Sequence, residues 1–384
     1  MEFTDKVFKV KDSVDIYVIE DPTVYPDLKI QFYRINTREK ISIQIDPIFS
    51  RILASLDGHK KLSDIYNDLM VNPSEEESKA IFEFLIEEGI AIENKIDNVF
   101  DYSLISRYSR QINYFDDLIH NTDGYQNQLK LSKKKVVIIG CGAVGSAIAI
   151  LLARAGVLDF TLVDYKMVDK SNIRRHLYVN KSSVGKLKTE ELRKYLLKIN
   201  STSKIKRIDT KITPKTNLNE IICSETDIVI NSADEPYIGH ITIKLGRYLW
   251  GKNIGLYVAG GFDAHLMSTG ELIFKGLSPC ADCCSMTFRK ALSSWKPRYA
   301  SGETSLEAEV NSVATNKYVI GGSGGTSAQS LFSASFGAIN IINFLLDNYP
   351  TEESVTKRGE YLIDKGIITW FNMEKQNECA ACSS

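Results

Sequence analysis

A chain of 384 residues with 47 basic and 48 acidic side chains has a formal net charge of −1, so no global field draws it to nucleic acid or to an anionic membrane. That length can bury a sizeable core and hold two or three domains. The opening Met1-Glu2-Phe3-Thr4-Asp5-Lys6 lacks the apolar run of a signal peptide, and no stretch reads as a bilayer span. The expectation is a cytoplasmic protein without a membrane or nucleic-acid partner.

Residues 1–98 read as a small mixed domain. Strands are expected at Ile16–Ile19, Ile30–Tyr33 and Ile41–Ile45, and a helix from Pro47 to Leu56, closed by an Asp57-Gly58 turn. Helices at Leu62–Leu69 and Glu75–Glu88 follow, then a closing strand at Gly89–Ile92. Three strands followed by three short helices is the pattern of a winged helix-turn-helix. DNA binding is the plain reading of that pattern, but Glu75-Glu76-Glu77 opens the last helix and Glu83, Glu87 and Glu88 keep it acidic, which repels phosphate. The block instead resembles the peptide-recognition element of ribosomal-peptide modifying enzymes, on Leu56-Asp57-Gly58 and Glu87-Glu88-Gly89-Ile90. That resemblance implies a peptide added as a strand to the sheet edge. Residues 99–130 read as a helical connector containing Arg107-Tyr108-Ser109-Arg110-Gln111-Ile112.

From Leu131 the pattern becomes α/β. Val136–Ile139 is a continuous apolar run, as a buried parallel strand requires. Gly140, Gly142 and Gly145 form a G-x-G-x-x-G turn, and a helix is expected from Ser146 to Ala155, stopped by Gly156. Its N-terminus offers free N–H groups to an anion. A second strand, Phe160–Val163, ends at Asp164, where ribose hydroxyls are usually held. NAD, FAD and ATP all satisfy this unit. Downstream, Asn172, Arg175 and Lys188 suit a chemistry that splits a triphosphate, which needs several positive or polar groups. The strand Asp227–Asn231 leads into Ser232-Ala233-Asp234, and a carboxylate at a strand's C-terminal end can hold Mg²⁺.

Seven cysteines complete the pattern. Cys280-Ala-Asp-Cys283 and Cys379-Ala-Ala-Cys382 are C-x-x-C pairs, suited to one tetrahedral structural zinc; a reducing compartment favours metal over a redox pair. Cys141 in the glycine loop and Cys223, expected on a helix, read as small packing residues, and Cys284 as held near the metal. Gly321–Gly325 lacks the Lys-[Ser/Thr] of a phosphate loop and reads as a lead-in to a helix at Ser327–Leu346. His176 and His240 have no ligand spacing and carry no assigned chemistry.

Taken in order, Arg107–Ile112, the glycine turn, Asp164, Asn172 with Arg175, Val184-Gly185-x-x-Lys188, Ser232-Ala233-Asp234 and the two C-x-x-C pairs resemble the ThiF/MoeB family, relatives of ubiquitin-activating enzymes. The resemblance covers about residues 105–384. It implies a Rossmann-like nucleotide-binding domain with a mixed sheet and a structural zinc site (131–384), preceded by the winged-helix-like domain (1–98) and the connector (99–130). It implies ATP or another NTP with Mg²⁺ as substrate, and transfer of a nucleotidyl group to a C-terminal carboxylate with release of pyrophosphate. Carried over by position, Gly140, Gly142, Gly145, Asp164, Asn172, Arg175 and Lys188 hold the nucleotide, and Arg175, Lys188 and Asp234 act in catalysis. Asp234 is the magnesium-linked acid. Arg110 is the arginine that reaches the partner's site in a homodimer, and Cys280, Cys283, Cys379 and Cys382 are the zinc ligands. Lys166 departs from the pattern, since many members carry a second acid there. The polar run Ser293–Lys317 resembles the family's crossover loop. From Ser285 to Glu378 there is no cysteine for a thioester, and sulfur-carrier activators generally lack an N-terminal domain, so within the family the chain looks most like the microcin C-type peptide nucleotidyltransferases, with a ribosomal precursor peptide as partner. A non-catalytic peptide-presenting subunit and a sulfur-carrier activator are the alternatives.

Overall fold

The computed structural model describes residues 3–94, 101–119, 123–234, 238–260, 262–263, 266–291, 325–348 and 357–382. They fall into two units, Met1–Lys130 and Leu131–Ser384.

The first unit contains β1 (Val7–Val10), β2 (Val14–Ile19), β3 (Leu28–Arg34), β4 (Lys40–Ile45), α1 (Pro47–Ala54), β5 (Asp57–Lys61), α2 (Leu62–Leu69), α3 (Glu75–Glu87), β6 (Ala91–Asn94) and α4 (Tyr102–Leu118). α5 (Gly124–Ser132) follows. The strands β2-β3-β4 form one antiparallel sheet and β5-β1-β6 another. Helix starts follow local chemistry. Asp46 accepts the Ile48 N–H with Pro47 in the first turn, and Ser74 with Glu77 closes a capping box. Phe8, Ile30, Phe32, Ile52, Leu62, Ile65, Phe82 and Leu85 are buried together, with Phe8 stacked on Phe82 at 4.3 Å between ring centroids. Two features differ from the sequence expectation. β1 has no expected counterpart, and the Asp57-Gly58 turn is the start of strand β5. The Asp57 carboxylate does fold locally, accepting the His59 and Lys60 N–H groups, and Gly58 has a φ of 81°. β1 nonetheless pairs with this segment through a register shift, so long-range pairing overrides the turn signal.

The second unit opens with β7 (Lys135–Ile139), α6 (Ala143–Arg154) and β8 (Asp159–Val163), then α7 (Lys188–Ile199), β9 (Lys204–Ile208) and β10 (Ile228–Asn231). α8 (Ile238–Leu249), β11 (Gly255–Val258), β12 (Phe262–Asp263), β13 (Leu266–Ser268), β14 (Glu271–Ile273) and α9 (Ala281–Ala291) follow, then α10 (Ser327–Leu345), β15 (Lys357–Leu362) and β16 (Ile367–Asn372). The main sheet runs β14-β11-β10-β7-β8-β9. Its five neighbouring strands from β11 to β9 pair in parallel and β14 is antiparallel, so the sheet is mixed. Strand order reverses between β7 and β10, which opens the crevice of a doubly wound fold beyond their carboxyl ends. β12, β13, β15 and β16 form a separate antiparallel sheet.

α6 starts three residues before the expected Ser146, because Gly142 is its N-cap. α10 matches the expected helix and packs on α6. By length and composition it is the one helix among the described residues apolar enough to cross a membrane, and half of it is buried within the fold. The Ser293–Lys317 run and Gly321–Gly324 lie outside the described residues.

Candidate active site and metal centre

The glycine loop is built by close approach between β7 and β10. Gly140 has a φ of 92°, and a Cβ there would lie 2.7 Å from the Ala233 nitrogen. A Cβ on Gly145 would collide with the Gly140 carbonyl and with Ser232 Oγ. Ser232 Oγ donates to the Gly140 carbonyl at 2.7 Å, locking the end of β10 to the loop. Gly142 differs: a Cβ there meets nothing within 4 Å. Two glycines therefore serve packing, and the third leaves open space at the N-terminus of α6, where unpaired N–H groups favour an anion.

Asp164 follows β8 directly. Its Oδ2 accepts the Cys141 N–H at 2.8 Å and its Oδ1 accepts the Lys166 N–H at 2.9 Å. Both oxygens are oriented by backbone and retain lone pairs for hydroxyl donors. Asn172 is buried in a 3-10 turn over Lys170–Arg174, its Oδ1 accepting the Asp169 N–H at 3.0 Å. Arg175 caps that turn. Lys188 begins α7 and is buried. Burial pushes its ammonium below the usual lysine value. Lys166 adds to that, while Asp164, Cys141 and Asp234 push it back up. Asp234 lies exposed, three residues beyond the end of β10. The fold thus gathers the ends of β7, β8 and β10 and the start of α7 around one crevice.

Arg110 stands apart from this set: it is exposed on α4, in the first unit. Cys141 is fully buried, and burial raises its thiol well above the usual range; it packs, as expected. Cys223 does not sit on a helix. It is exposed in the loop between Leu218–Glu220 and β10, because Ser224-Glu225 and Asp227 break the apolar run there. Cys284 is buried and its thiol is pushed up by burial, which disfavours a nucleophilic thiolate. Sequence reasoning passed over Tyr178, whose hydroxyl donates to the Cys141 carbonyl at 2.8 Å. No spacing marks this tyrosine, and only the folded loop brings it there.

The four cysteines of the C-x-x-C pairs meet. Their sulfurs all lie within 4.8 Å of one another. Cys280 Sγ is 3.5 Å from Cys379 Sγ, and Cys283 Sγ is 3.6 Å from Cys382 Sγ. A tetrahedron with Zn–S of about 2.3 Å has edges of about 3.8 Å, so the donor set fits zinc by type and size. The Gln376 N–H points at Cys283 Sγ from 3.3 Å, a contact that stabilises a thiolate. Such a metal would supply cross-linking alone, since four thiolates leave no open position.

At the level of class, this is a doubly wound α/β protein with open space at Gly142 beside its switch point and a cluster of four cysteines able to hold a metal. The ThiF family model matches residues 108–346, and the chain belongs to the ThiF family. Adenylyltransferase and sulfurtransferase UBA4 of Candida glabrata is 29% identical over 212 residues, covering 53% of this chain and 46% of that protein. Adenylyltransferase and sulfurtransferase MOCS3 of Culex quinquefasciatus is 35% identical over 130 residues, covering 34% and 28%. The chain thus spans less than half the length of these curated relatives. Its fold is that of E. coli MccB. The crystal structure of MccB with ATP superimposes with a TM-score of 0.68 at 21% identity, covering 98% of this chain and 99% of that one. The structure of MccB with AMPCPP and selenomethionine MccA gives 0.69 at 20% identity over the same shares.

Proposed function

We propose that this chain is an ATP- or NTP-dependent nucleotidyltransferase that activates the C-terminal carboxylate of a ribosomal precursor peptide. The observation that carries the reading is the open space at Gly142, flanked by Asp164, Lys188 and Asp234 at the switch point of a ThiF-family fold. In the reaction a peptide carboxylate oxygen attacks the α-phosphorus, the bond from that phosphorus to the bridging oxygen breaks, and pyrophosphate leaves. Asp164 holds the ribose hydroxyls. The N–H groups after Gly142, with Asn172, Arg175 and Lys188, bind the phosphate oxygens and offset the charge that grows on them. Asp234 offers a hard oxygen donor for Mg²⁺, which when bound neutralises triphosphate charge. The buried lysine gains most from the ligand, because a phosphate supplies the counter-charge that burial denies it.

The precursor peptide is assigned to the first unit. β2 is an edge strand of its sheet, and Ile16, Tyr17 and Val18 on it are exposed, which suits strand addition with apolar side chains to grip. MccB has been solved with MccA bound, and the likeness to MccB extends over 98% of the chain. The names UBA4 and MOCS3 favour a second reading, activation of a sulfur-carrier protein, but those matches span 53% of the chain or less.

Pyrophosphate release with MgATP and other MgNTPs is the test, run with candidate ribosomal precursor peptides and with a carrier protein ending in Gly-Gly. Release only with the peptide is expected. Asp234→Ala should lower turnover at least about 100-fold and leave peptide affinity unchanged. Release only with the carrier would establish the second reading, and none with any NTP would point to a peptide-presenting subunit.

A further inference from the structure

The Gly142 N–H has no acceptor among the described residues, and a buried tyrosine decides which way it points. Two consecutive peptide units form the turn of the glycine loop. In the first, the Gly140 carbonyl accepts from Ser232 Oγ at 2.7 Å and the Cys141 N–H donates to Asp164 Oδ2 at 2.8 Å. In the second, the Cys141 carbonyl accepts from the Tyr178 hydroxyl at 2.8 Å, and the Gly142 N–H completes the unit. A trans peptide is planar, so its C=O and N–H point in opposite directions. Serine and aspartate fix the first unit from both sides. Tyr178 fixes the second from one side only, and so turns the Gly142 N–H away from itself. Tyr178 is 5% exposed, and burial pushes the pKa of its hydroxyl well above the usual phenol range, so it stays protonated and able to donate. Its ring stacks on His176, with centroids 5.7 Å apart, on the segment that follows Arg175. A Cβ on Gly142 would meet nothing within 4 Å, which leaves room for a ligand beside the loop.

We infer that Tyr178 is a positioning residue for the phosphate site: by holding the Cys141 carbonyl it presets the Cys141–Gly142 peptide with its N–H toward the phosphate chain of a bound nucleoside triphosphate. A phosphate oxygen is the acceptor that suits an N–H at the start of a helix. Glycine at 142 makes a flip of this peptide cheap. Without the hydroxyl, part of the molecules turn the Cys141 carbonyl oxygen toward the anion, which repels it. The tyrosine acts through the loop, by removing that alternative before the ligand arrives. The inference rests on the nucleotide reading of the crevice.

Tyr178→Phe removes the hydroxyl and keeps the ring on His176. Thermal melting checks folding. Titration of the full-length protein with the Mg²⁺ complex of a non-hydrolysable ATP analogue should show affinity roughly tenfold or more below wild type, the range for one hydrogen bond to a charged group. In turnover the loss should fall mainly on the KM for NTP rather than on kcat. A second readout sees the peptide itself. Cys141-Gly142 is the one Cys-Gly pair in the sequence, so isotope labels on the cysteine carbonyl carbon and the glycine nitrogen leave a single NMR correlation. In the wild type the analogue should move the amide resonance and leave the carbonyl carbon nearly in place. In Tyr178→Phe without nucleotide the correlation should broaden or split, as a peptide with two orientations does. Wild-type affinity with one sharp correlation in a folded Tyr178→Phe would overturn the inference. Should the variant not fold, the wild-type spectrum decides: an amide that ignores the bound analogue, or a carbonyl that moves with it as the peptide turns over, would overturn it as well. If the wild-type chain binds no nucleotide, the reading of the crevice falls first and this inference with it.

Discussion

At the scale of single residues, the glycine loop makes opposite demands on neighbouring positions. Gly142 is the N-cap of α6 with a φ of −74°, a conformation open to any residue. Gly142→Ala should fold normally but lose nucleotide affinity, since its methyl enters the space kept for phosphate. Gly145→Ala should destabilise the fold by roughly 1–3 kcal/mol, since backbone and Ser232 stand in the way. Melting curves and nucleotide titrations of both variants check the contrast; equal behaviour would remove the distinction. A second residue sets a pH dependence. Burial raises the Asp116 carboxyl to about 6, against the Gly124 N–H donated to it and the nearby Lys11. The folded chain then keeps a proton that the unfolded chain releases between about pH 4 and pH 6. Stability from this group therefore falls as pH rises through that window. Asp116→Asn should flatten the slope in calorimetric unfolding from pH 4 to pH 7, and an unchanged slope would assign it to other groups.

At the scale of elements, the chain's last ten described residues are tied to α9 by sulfur. Close sulfur contacts run between the two C-x-x-C pairs, 99 residues apart in sequence. A bound metal would close that long loop, and its loss would release the tail after β16. Cys379→Ser should lower the metal content to well under one zinc per chain. It should cost roughly 2–5 kcal/mol of stability in the second unit, while any residual protein keeps the wild-type KM for NTP. Metal analysis with thermal melting is the measurement; full stability without zinc would show that the tetrathiolate is not structural. The same element scale explains Cys284. It follows Cys283 on α9, and its buried thiol faces the Pro279 carbonyl at 3.8 Å, next to the four-cysteine cluster near which the sequence placed it.

At the scale of the whole molecule, one residue expected in the site belongs to a different unit from the others. Arg110 is exposed on α4, while Asp164, Asn172, Arg175, Lys188 and Asp234 lie in the second unit. The family resemblance led to the expectation that Arg110 acts in the site of the partner chain of a homodimer. Mixing Arg110→Ala with Asp234→Ala under conditions of subunit exchange tests this. If Arg110 serves the neighbouring chain, each mixed dimer contains one site with both defects and one with neither, and up to half the wild-type activity per dimer returns. If it serves its own chain, every site keeps one defect and the mixture stays inactive.

Much of the second unit is legible along the chain because its signals are local. Val136–Ile139 is apolar throughout, Gly140, Gly142 and Gly145 follow at fixed spacing, and Asp164 closes the next strand. Each of these depends on a few consecutive residues. The capped starts of α1 and α3 are local in the same way. Tertiary structure decided what local spacing cannot express. β1 exists because Val7 pairs with Asn94 and Lys61, partners far away in the chain. β15 and β16 join β13 in a sheet of their own, and β10 comes to lie beside β7, which sets Ser232 against Gly140. His176 shows the same division: its sequence context offers no ligand spacing, and its burial and its stack on Tyr178 exist only in the folded chain. Burial is a property of the folded ensemble of contacts, so the chemistry that burial confers is written in the packing and not in the order of residues.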